Sequence, residues 1–251
     1  MSVVLSTTEN AIRTLTLNRP DKRNALNDEL IAALKDALHE ADGDGSLRCV
    51  VIRGAGKDFC SGADLSALQK ISAATFEENV EDARSLAELF ELIRNVRVPV
   101  IAAVHGRALA GGCGLAMACD LIVAKRDAKF GFPEVKIGFV PAMVAAIVRR
   151  NMSERRAFAT LTLGEEMSAE DLYQSAGIIH ALADDDLEAT LAAVTDRYAR
   201  LSASAVQMTK RLLYEIDTLT FDSSIEHGAK VNATARMTED CKKGIGRFLN
   251  K

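Results

Sequence analysis

Two glycine-rich turns carry the residues most able to do chemistry: Phe59-Cys60-Ser61-Gly62-Ala63-Asp64 and Ala110-Gly111-Gly112-Cys113-Gly114. Small residues let a backbone come close to a ligand. Two unpaired backbone N–H groups aimed at one oxygen form an oxyanion hole, each donor being worth about 3 kcal/mol of transition-state stabilisation. The turns assign those donors to Ala63 and Gly111. Each follows a β-type run, Cys49-Val50-Val51-Ile52 before the first and Val98 to Val104 before the second, so each should sit at the carboxyl end of a strand. An apolar, helix-competent run from Leu115 to Ala118 follows the second turn and would add its positive end to the same spot. Taken singly, either turn is equally well a plain strand-to-helix connection; the pair points to a site for developing negative charge.

Other candidate chemistry is weaker. Cys49, Cys60, Cys113, Cys119 and Cys241 are odd in number and contain no C-x-x-C pair, so they read as reduced thiols. Cys60 and Cys113 lie in the two turns but have no adjacent histidine to activate them, and small-residue packing explains them. The four histidines, His39, His105, His180 and His227, are scattered without metal-ligand spacing, so no metal site is expected. Ser61 with His105 would suggest a hydrolase, but no G-x-S-x-G elbow is present.

The elements that position the turns follow from periodicity. Val3 to Ser6 and Ile12 to Leu17, joined by Thr7-Thr8-Glu9-Asn10, predict a β-hairpin. Asn27 predicts a helix cap before the stripe Leu30, Ile31, Leu34 and Leu38, with Gly43 as the stop. Thr75 and Glu78 match a capping box ahead of Val80, Ala83, Ala87, Phe90 and Ile93. After the second turn come a helix from about Gly112 to Ala118, a strand from Leu121 to Ala124 and a short strand near Lys129-Phe130. Strands alternating with crossover helices give an α/β class with mostly parallel strands. Beyond Pro141 the chain turns mainly helical, with Ser153 and Ser168 as caps and Gly164 and Gly177 as stops. Leu187, Leu191, Val194, Tyr198 and Leu201 form a narrow seam suited to helix docking or subunit contact.

The 251 residues can bury a substantial core, and 48% hydrophobic with 26% charged residues is ordinary for a soluble globular protein. A net charge of −4 offers no basic field for nucleic acid or anionic lipid. No stretch of about 18 uncharged apolar residues occurs, and Met1-Ser2-Val3-Val4-Leu5-Ser6 does not read as a signal peptide. A cytoplasmic protein with no membrane and no nucleic-acid partner is expected. No low-complexity linker divides the chain, which reads as a core over 1–190 with a helical extension over 191–251.

In combination, several segments resemble the crotonase superfamily of acyl-CoA enzymes, which includes enoyl-CoA hydratases and isomerases. They are Asn18-Arg19-Pro20 with Asn24-Ala25-Leu26, Phe59 to Asp64, Val98 to Gly114, Phe130-Gly131-Phe132-Pro133-Glu134, Leu163-Gly164 with Ser168-Ala169-Glu170, and Lys242 to Lys251 with Phe248-Leu249. The resemblance spans nearly the whole chain. It implies a repeated ββα spiral core with a C-terminal helical region for oligomer contacts, a homotrimer or dimer of trimers, and coenzyme A as part of the thioester substrate, with no tightly bound cofactor. It further implies that Ala63 and Gly111 polarise the thioester oxygen. Contacts to CoA carry over onto Arg23, Ala25, Ala63, Asp64 and Leu65, with Phe248 and Lys251 near the adenine of a neighbouring subunit.

One departure bears on the reaction. Hydratases of this family use two glutamates, and this chain keeps only the one that follows Pro133. The other position is Gly114, which has no side chain to hold water. Glu134 is therefore the expected general acid/base. Hydration of a 2-enoyl-CoA to the 3-hydroxyacyl-CoA is the leading expectation from the family. Δ3,Δ2 isomerisation, or other enolate chemistry run by one carboxylate, is the alternative that the residues favour, and a silent acyl-CoA binder is the third. Glu77, Glu78, Glu81 or Asp82 is a possible replacement acid. Leu65 to about Phe76 and Ile137 to Met143 are expected to shape the acyl pocket, with Met143, Val144 and Ile147 bringing bulk.

Overall fold

A computed structural model describes residues 2–250, including every side chain among them except those of Leu65, Ser175 and Ala176. A six-stranded sheet runs in the order β1 (Val4–Glu9), β2 (Ile12–Leu17), β3 (Cys49–Gly54), β4 (Val100–Val104), β6 (Leu121–Lys125), β9 (Ala181–Ala183). Only the β1–β2 hairpin is antiparallel; the other pairs are parallel. A second sheet of β5 (Arg107–Leu109), β7 (Lys129–Gly131) and β8 (Glu166–Ser168) stands beside it. The expected α/β class with mainly parallel strands and a helical C-terminal region is what the chain adopts.

Local chemistry explains most boundaries. The hairpin turn is tighter than expected: Asn10 and Ala11 both take positive φ, so β1 continues to Glu9. Asn27 caps α1 (Asp28–Gly43) by accepting from the Leu30 amide, and Leu30, Ile31, Leu34 and Leu38 are buried as the periodicity requires. Thr75 and Glu78 form the reciprocal capping box of α3 (Phe76–Asn95), which buries Leu89, Phe90 and Ile93. Ser168 opens α7 (Ala169–Ala176) with a second capping box through Asp171. Ser153 precedes α6 (Glu154–Thr162) without a side-chain cap bond. Gly177 ends α7 in the left-handed conformation, whereas α6 stops at Thr162, two residues before Gly164.

Three elements depart from the expectation. Residues Leu65–Ala73 form a helix, α2, capped by the Asp64 carboxylate on the Ser66 amide. The region beyond Pro141 holds, besides its helices, the two short strands β8 and β9 that close the sheets. The seam on α8 (Leu187–Arg200) docks within the chain: Leu187, Leu191 and Val194 are buried against Cys49, Val51, Ile101 and Val123 on the outer face of the main sheet. Leu201 lies beyond the helix and is exposed.

A buried polar knot joins the C-terminal helices to the core. Lys210 on α9 (Ala203–Glu215) donates to the carbonyls of Ile93 and Val98 and pairs with Asp120 at 2.7 Å. Asp120 also accepts from the Val100 amide and the Tyr214 hydroxyl. All three ammonium hydrogens thus have acceptors although the side chain is removed from water, and desolvation pulls its pKa down. Lys210→Met should leave Asp120 without its counter-charge and cost about 3–5 kcal/mol in stability. A denaturant midpoint shifted by less than about 1 kcal/mol would show that the knot is dispensable.

Candidate active site

The two turns pack directly against each other. Cys60 and Ala108 form a parallel bridge, with the Cys60 amide donating to Arg107 and the Leu109 amide to Cys60. A Cβ on Gly62 would sit 2.9 Å from Ala110 Cβ, and one on Gly112 would sit 2.3 Å from the Cys60 carbonyl oxygen. Glycine at these two positions is what lets the strand ends close onto one another.

Among the described residues, neither the Ala63 nor the Gly111 amide has an acceptor. Leu26 donates to the Gly62 carbonyl at 2.7 Å and Asp64 donates back to the Leu26 carbonyl at 2.9 Å, forming a parallel bridge between Leu26 and Ala63. Along extended backbone successive N–H groups point to opposite sides, so the intervening Ala63 amide faces away from Leu26. Among the described residues it has no acceptor. Gly111 is the first residue of α4 (Gly111–Ala118), and its amide is one of the N–H groups a helix start leaves unpaired. Its neighbour Ala110 is tied by its own amide to the Gly131 carbonyl and holds φ 49°, ψ −124°, a conformation that costs a non-glycine residue of order 1–3 kcal/mol. This strained alanine aims the start of α4, and the glycine-rich spelling of the turn hides it.

Glu134 sits in a short 3-10 turn, Pro133–Ile137, after β7. Its Oε2 is buried and accepts no hydrogen bond among the described residues. Desolvation raises its pKa above the ordinary carboxylate value, and its own backbone amide partly offsets this. The carboxylate lies near enough to Cys113 in the second turn to oppose ionisation of that thiol. Burial is the main cause that pushes both thiols up, to about 12 for Cys60, so neither turn cysteine is a thiolate.

Gly114 is a filled position. A Cβ there would lie 2.3 Å from Val144 Cγ1 and 3.0 Å from Phe90 Cζ. Val144, on α5 (Ala142–Asn151), and Phe90 are both core residues. Hydrocarbon from two helices thus occupies the space a second carboxylate would need. Of the acids considered as replacements, Glu78 caps Thr75, Asp82 lies 4.0 Å from Lys70, Glu81 lies exposed beside Arg84, and Glu77 is exposed in the first turn of α3.

The first turn is braced by residues that spacing alone does not single out. Arg19 pairs with Asp64 at 2.6 Å and donates to the Ala25 carbonyl. Asn24, fully buried at φ 54°, donates to the carbonyls of Ala55 and Asp58 and accepts from the Arg19 amide. The Ser66 amide, then Arg19, hold the Asp64 carboxyl at about 2, so it stays ionised at neutral pH. The available signal is the family resemblance carried by Asn18-Arg19-Pro20 and Asn24-Ala25-Leu26.

The remaining predicted contacts divide. Arg23 is exposed beside the first turn, with its carbonyl accepting from Ser61 and its Nε 3.9 Å from Asp58, and Ala25 is buried next to it. Leu65 begins α2, immediately after Ala63 and Asp64. Phe248 is 80% exposed on α11 (Glu239–Leu249), which packs on α9 and α10 (Phe221–Met237), away from the turns. Lys251 lies outside the described residues. Of the expected acyl-pocket segments, Phe76, Ile137 and Val140 are exposed, whereas Val144 and Ile147 are core. The His105 ring bonds the Gly56 carbonyl, and among the described residues it makes no hydrogen bond to Ser61. Among the described residues no helix is long and apolar enough to cross a membrane, and no group of three or more potential ligands could hold a metal.

Known proteins arrange the same elements. A family profile described as enoyl-CoA hydratase/isomerase matches residues 7–251. A Thermus thermophilus protein carrying an enoyl-CoA hydratase name is 36% identical over 236 residues, covering 94% of this chain and 93% of its own. The 1,2-epoxyphenylacetyl-CoA isomerase of Escherichia coli is 30% identical over 257 residues, covering 100% and 97%. The crystal structure of an enoyl-CoA hydratase from Mycobacterium smegmatis superposes with a TM-score of 0.94 at 30% identity, over 100% of this chain and 97% of that one. The chain belongs to the enoyl-CoA hydratase/isomerase family, within the crotonase superfamily.

Proposed function

We propose that this protein performs enolate chemistry on an acyl-CoA thioester, with the Ala63 and Gly111 amides holding the carbonyl oxygen and Glu134 as its single acid/base. The reaction this arrangement serves best is migration of an enoyl double bond between the β,γ and α,β positions. The ionised Glu134 takes the α-proton of a 3-enoyl-CoA, the two amides and the α4 dipole stabilise the dienolate oxygen, and Glu134 returns the proton at the γ-carbon. One carboxylate that is desolvated and free to hold a proton suffices, and nothing is consumed. The observation that carries this reading is the hydrocarbon packed at Gly114.

Hydration of a 2-enoyl-CoA is the second reading, favoured by the hydratase names of the relatives. Glu134 would then orient water and also supply the Cα proton, forgoing a second acid/base worth on the order of 10²-fold. CoA would lie along Arg23, Ala25 and Ala63–Leu65, its phosphates near the exposed Arg23 guanidinium. The exposed Phe221, Ile225, Met237, Ile245 and Phe248 support assembly through the C-terminal helices, as a trimer or dimer of trimers in which Phe248 and Lys251 reach a neighbour's adenine. Five free thiols favour a cytoplasmic setting.

The test is a panel of 2-enoyl and 3-enoyl thioesters of CoA followed in deuterated water. A shifted double bond carrying deuterium supports isomerisation, a 3-hydroxy product supports hydration, and binding without reaction defeats both. The packing adds a second expectation. Gly114→Glu should lower stability by about 1–3 kcal/mol or more through overpacking, with no gain in hydration. Adding Val144→Ala makes room, and the double variant should recover stability and hydrate faster than either single variant. Faster hydration from Gly114→Glu alone would mean that position 114 is open.

A further inference from the structure

A groove of about 410 Å³ lies where α3, α5 and the end of α9 meet, its apolar lining interrupted by Arg94, Arg150 and Asp217. Arg94, on α3, lies over the Tyr214 ring with its guanidinium carbon 3.9 Å from the ring centroid. The Tyr214 hydroxyl is itself fixed on Asp120, so this cation rests on an anchored platform. Arg150, on α5, reaches in from the opposite wall. Arg94 Nη2 and Arg150 Nε both donate to the same oxygen, Oδ2 of Asp217, at 3.0 and 3.1 Å. One carboxylate oxygen thus serves two guanidiniums, and each keeps unspent N–H donors. Glu91 also lines the groove, as an exposed residue of α3.

Helix α3 connects this groove to the reaction centre. Leu86 Cδ2 lies 3.7 Å from where a Cβ on Gly111 would stand, and the Phe90 ring lies 3.0 Å from the corresponding point on Gly114. Residues 86, 90 and 94 recur every fourth position on one face, and at 1.5 Å per residue Arg94 stands about 12 Å along the axis from Leu86. Phe90, which backs Gly114, also lines the groove, together with Met143 and Ile147.

On the reading that the Ala63–Gly111 pair binds an acyl-CoA thioester, we infer that the far end of the acyl group carries a carboxylate, held by Arg94 and Arg150 in place of part of their bonding to Asp217. Guanidinium forks match a carboxylate in geometry as well as charge. A methyl end would make no use of the two cations.

Calorimetric binding of two saturated CoA thioesters of equal chain length, one ending in methyl and one in carboxylate, tests this without requiring turnover. The carboxylate-ended ligand should bind the wild-type protein about tenfold or more tightly than its counterpart. In Arg150→Gln the ratio should fall toward one. In Asp217→Asn, which removes the resident competitor, it should widen, a direction that general damage to the fold would not produce. Equal or weaker binding of the carboxylate-ended ligand to wild type, or a ratio unmoved in Arg150→Gln, overturns the inference while leaving the acyl-CoA reading intact. Failure of both thioesters to bind overturns the two together.

Discussion

Glu134→Gln should lose activity by about 10²–10⁴-fold and at the same time make the protein more stable at neutral pH. Both effects follow from one buried carboxylate. On the proposed mechanism it is the sole proton carrier, because Gly114 is backed by Val144 and Phe90, and Glu78 and Asp82 of α3 face Thr75 and Lys70. Its unpaired Oε2 and its raised pKa mean that the ionised form is held against a desolvation cost. The sign follows from linkage. The folded state binds this proton more tightly than the unfolded state, so the stability the neutral acid contributes is present below the unfolded pKa and lost as pH rises through the folded one. Above that range the charge is a liability that Gln removes, so thermal unfolding of Glu134→Gln at neutral pH should come at a higher temperature than wild type. A base must be ionised, so kcat/KM should rise with pH through a pKa above the ordinary 4.5 of a glutamate and then level off. Full turnover in Glu134→Gln would remove the residue from the reaction.

Gly111→Pro should cost about 10²–10³-fold in kcat, whereas Gly111→Ala should cost far less. Position 111 opens α4, where proline's fixed φ is compatible with a helix and its missing N–H breaks no intrahelical bond. The substitution deletes the proposed donor, but its ring also crowds the Cβ of Ala110 at φ 49°, ψ −124°, so the loss of rate counts only where the unfolding midpoint shows the fold is kept. Alanine keeps the donor and brings only a Cβ 3.1 Å from Leu26 Cδ1, the flexible end of a side chain. The alanine variant controls for the added Cβ, and the unfolding midpoint of the proline variant controls for the ring. Equal rates would mean that no oxyanion depends on Gly111.

What the sequence made legible was whatever a short repeat or a cap spells out. Asn27, Thr75 with Glu78, and the alternation of apolar strands with amphipathic helices lead to the observed elements because each signal is local. The two glycine turns were also readable, since close backbone approach leaves almost no other residue choice. Helix α2 was missed because its cap, Asp64, reads equally well as a turn or ligand residue. The strain at Ala110 was hidden because alanine gives no hint of positive φ. The Lys210–Asp120–Tyr214 knot and the Arg94–Arg150–Asp217 cluster join residues 67 to 123 positions apart, pairings no periodicity reveals. The absence of a glutamate at 114 could be read from the chain. That Val144 and Phe90 occupy its place could not, and this packing converts a missing side chain into a constraint on the reaction.

The central claim is that one carbonyl oxygen is shared by the amides of Ala63 and Gly111. A crystal structure with a bound, unreactive acyl-CoA thioester measures this directly. The predicted result is a thioester oxygen about 2.7–3.1 Å from both nitrogens, with the α-carbon within reach of Glu134. A thioester bound elsewhere, or an oxygen contacting neither amide, would contradict it.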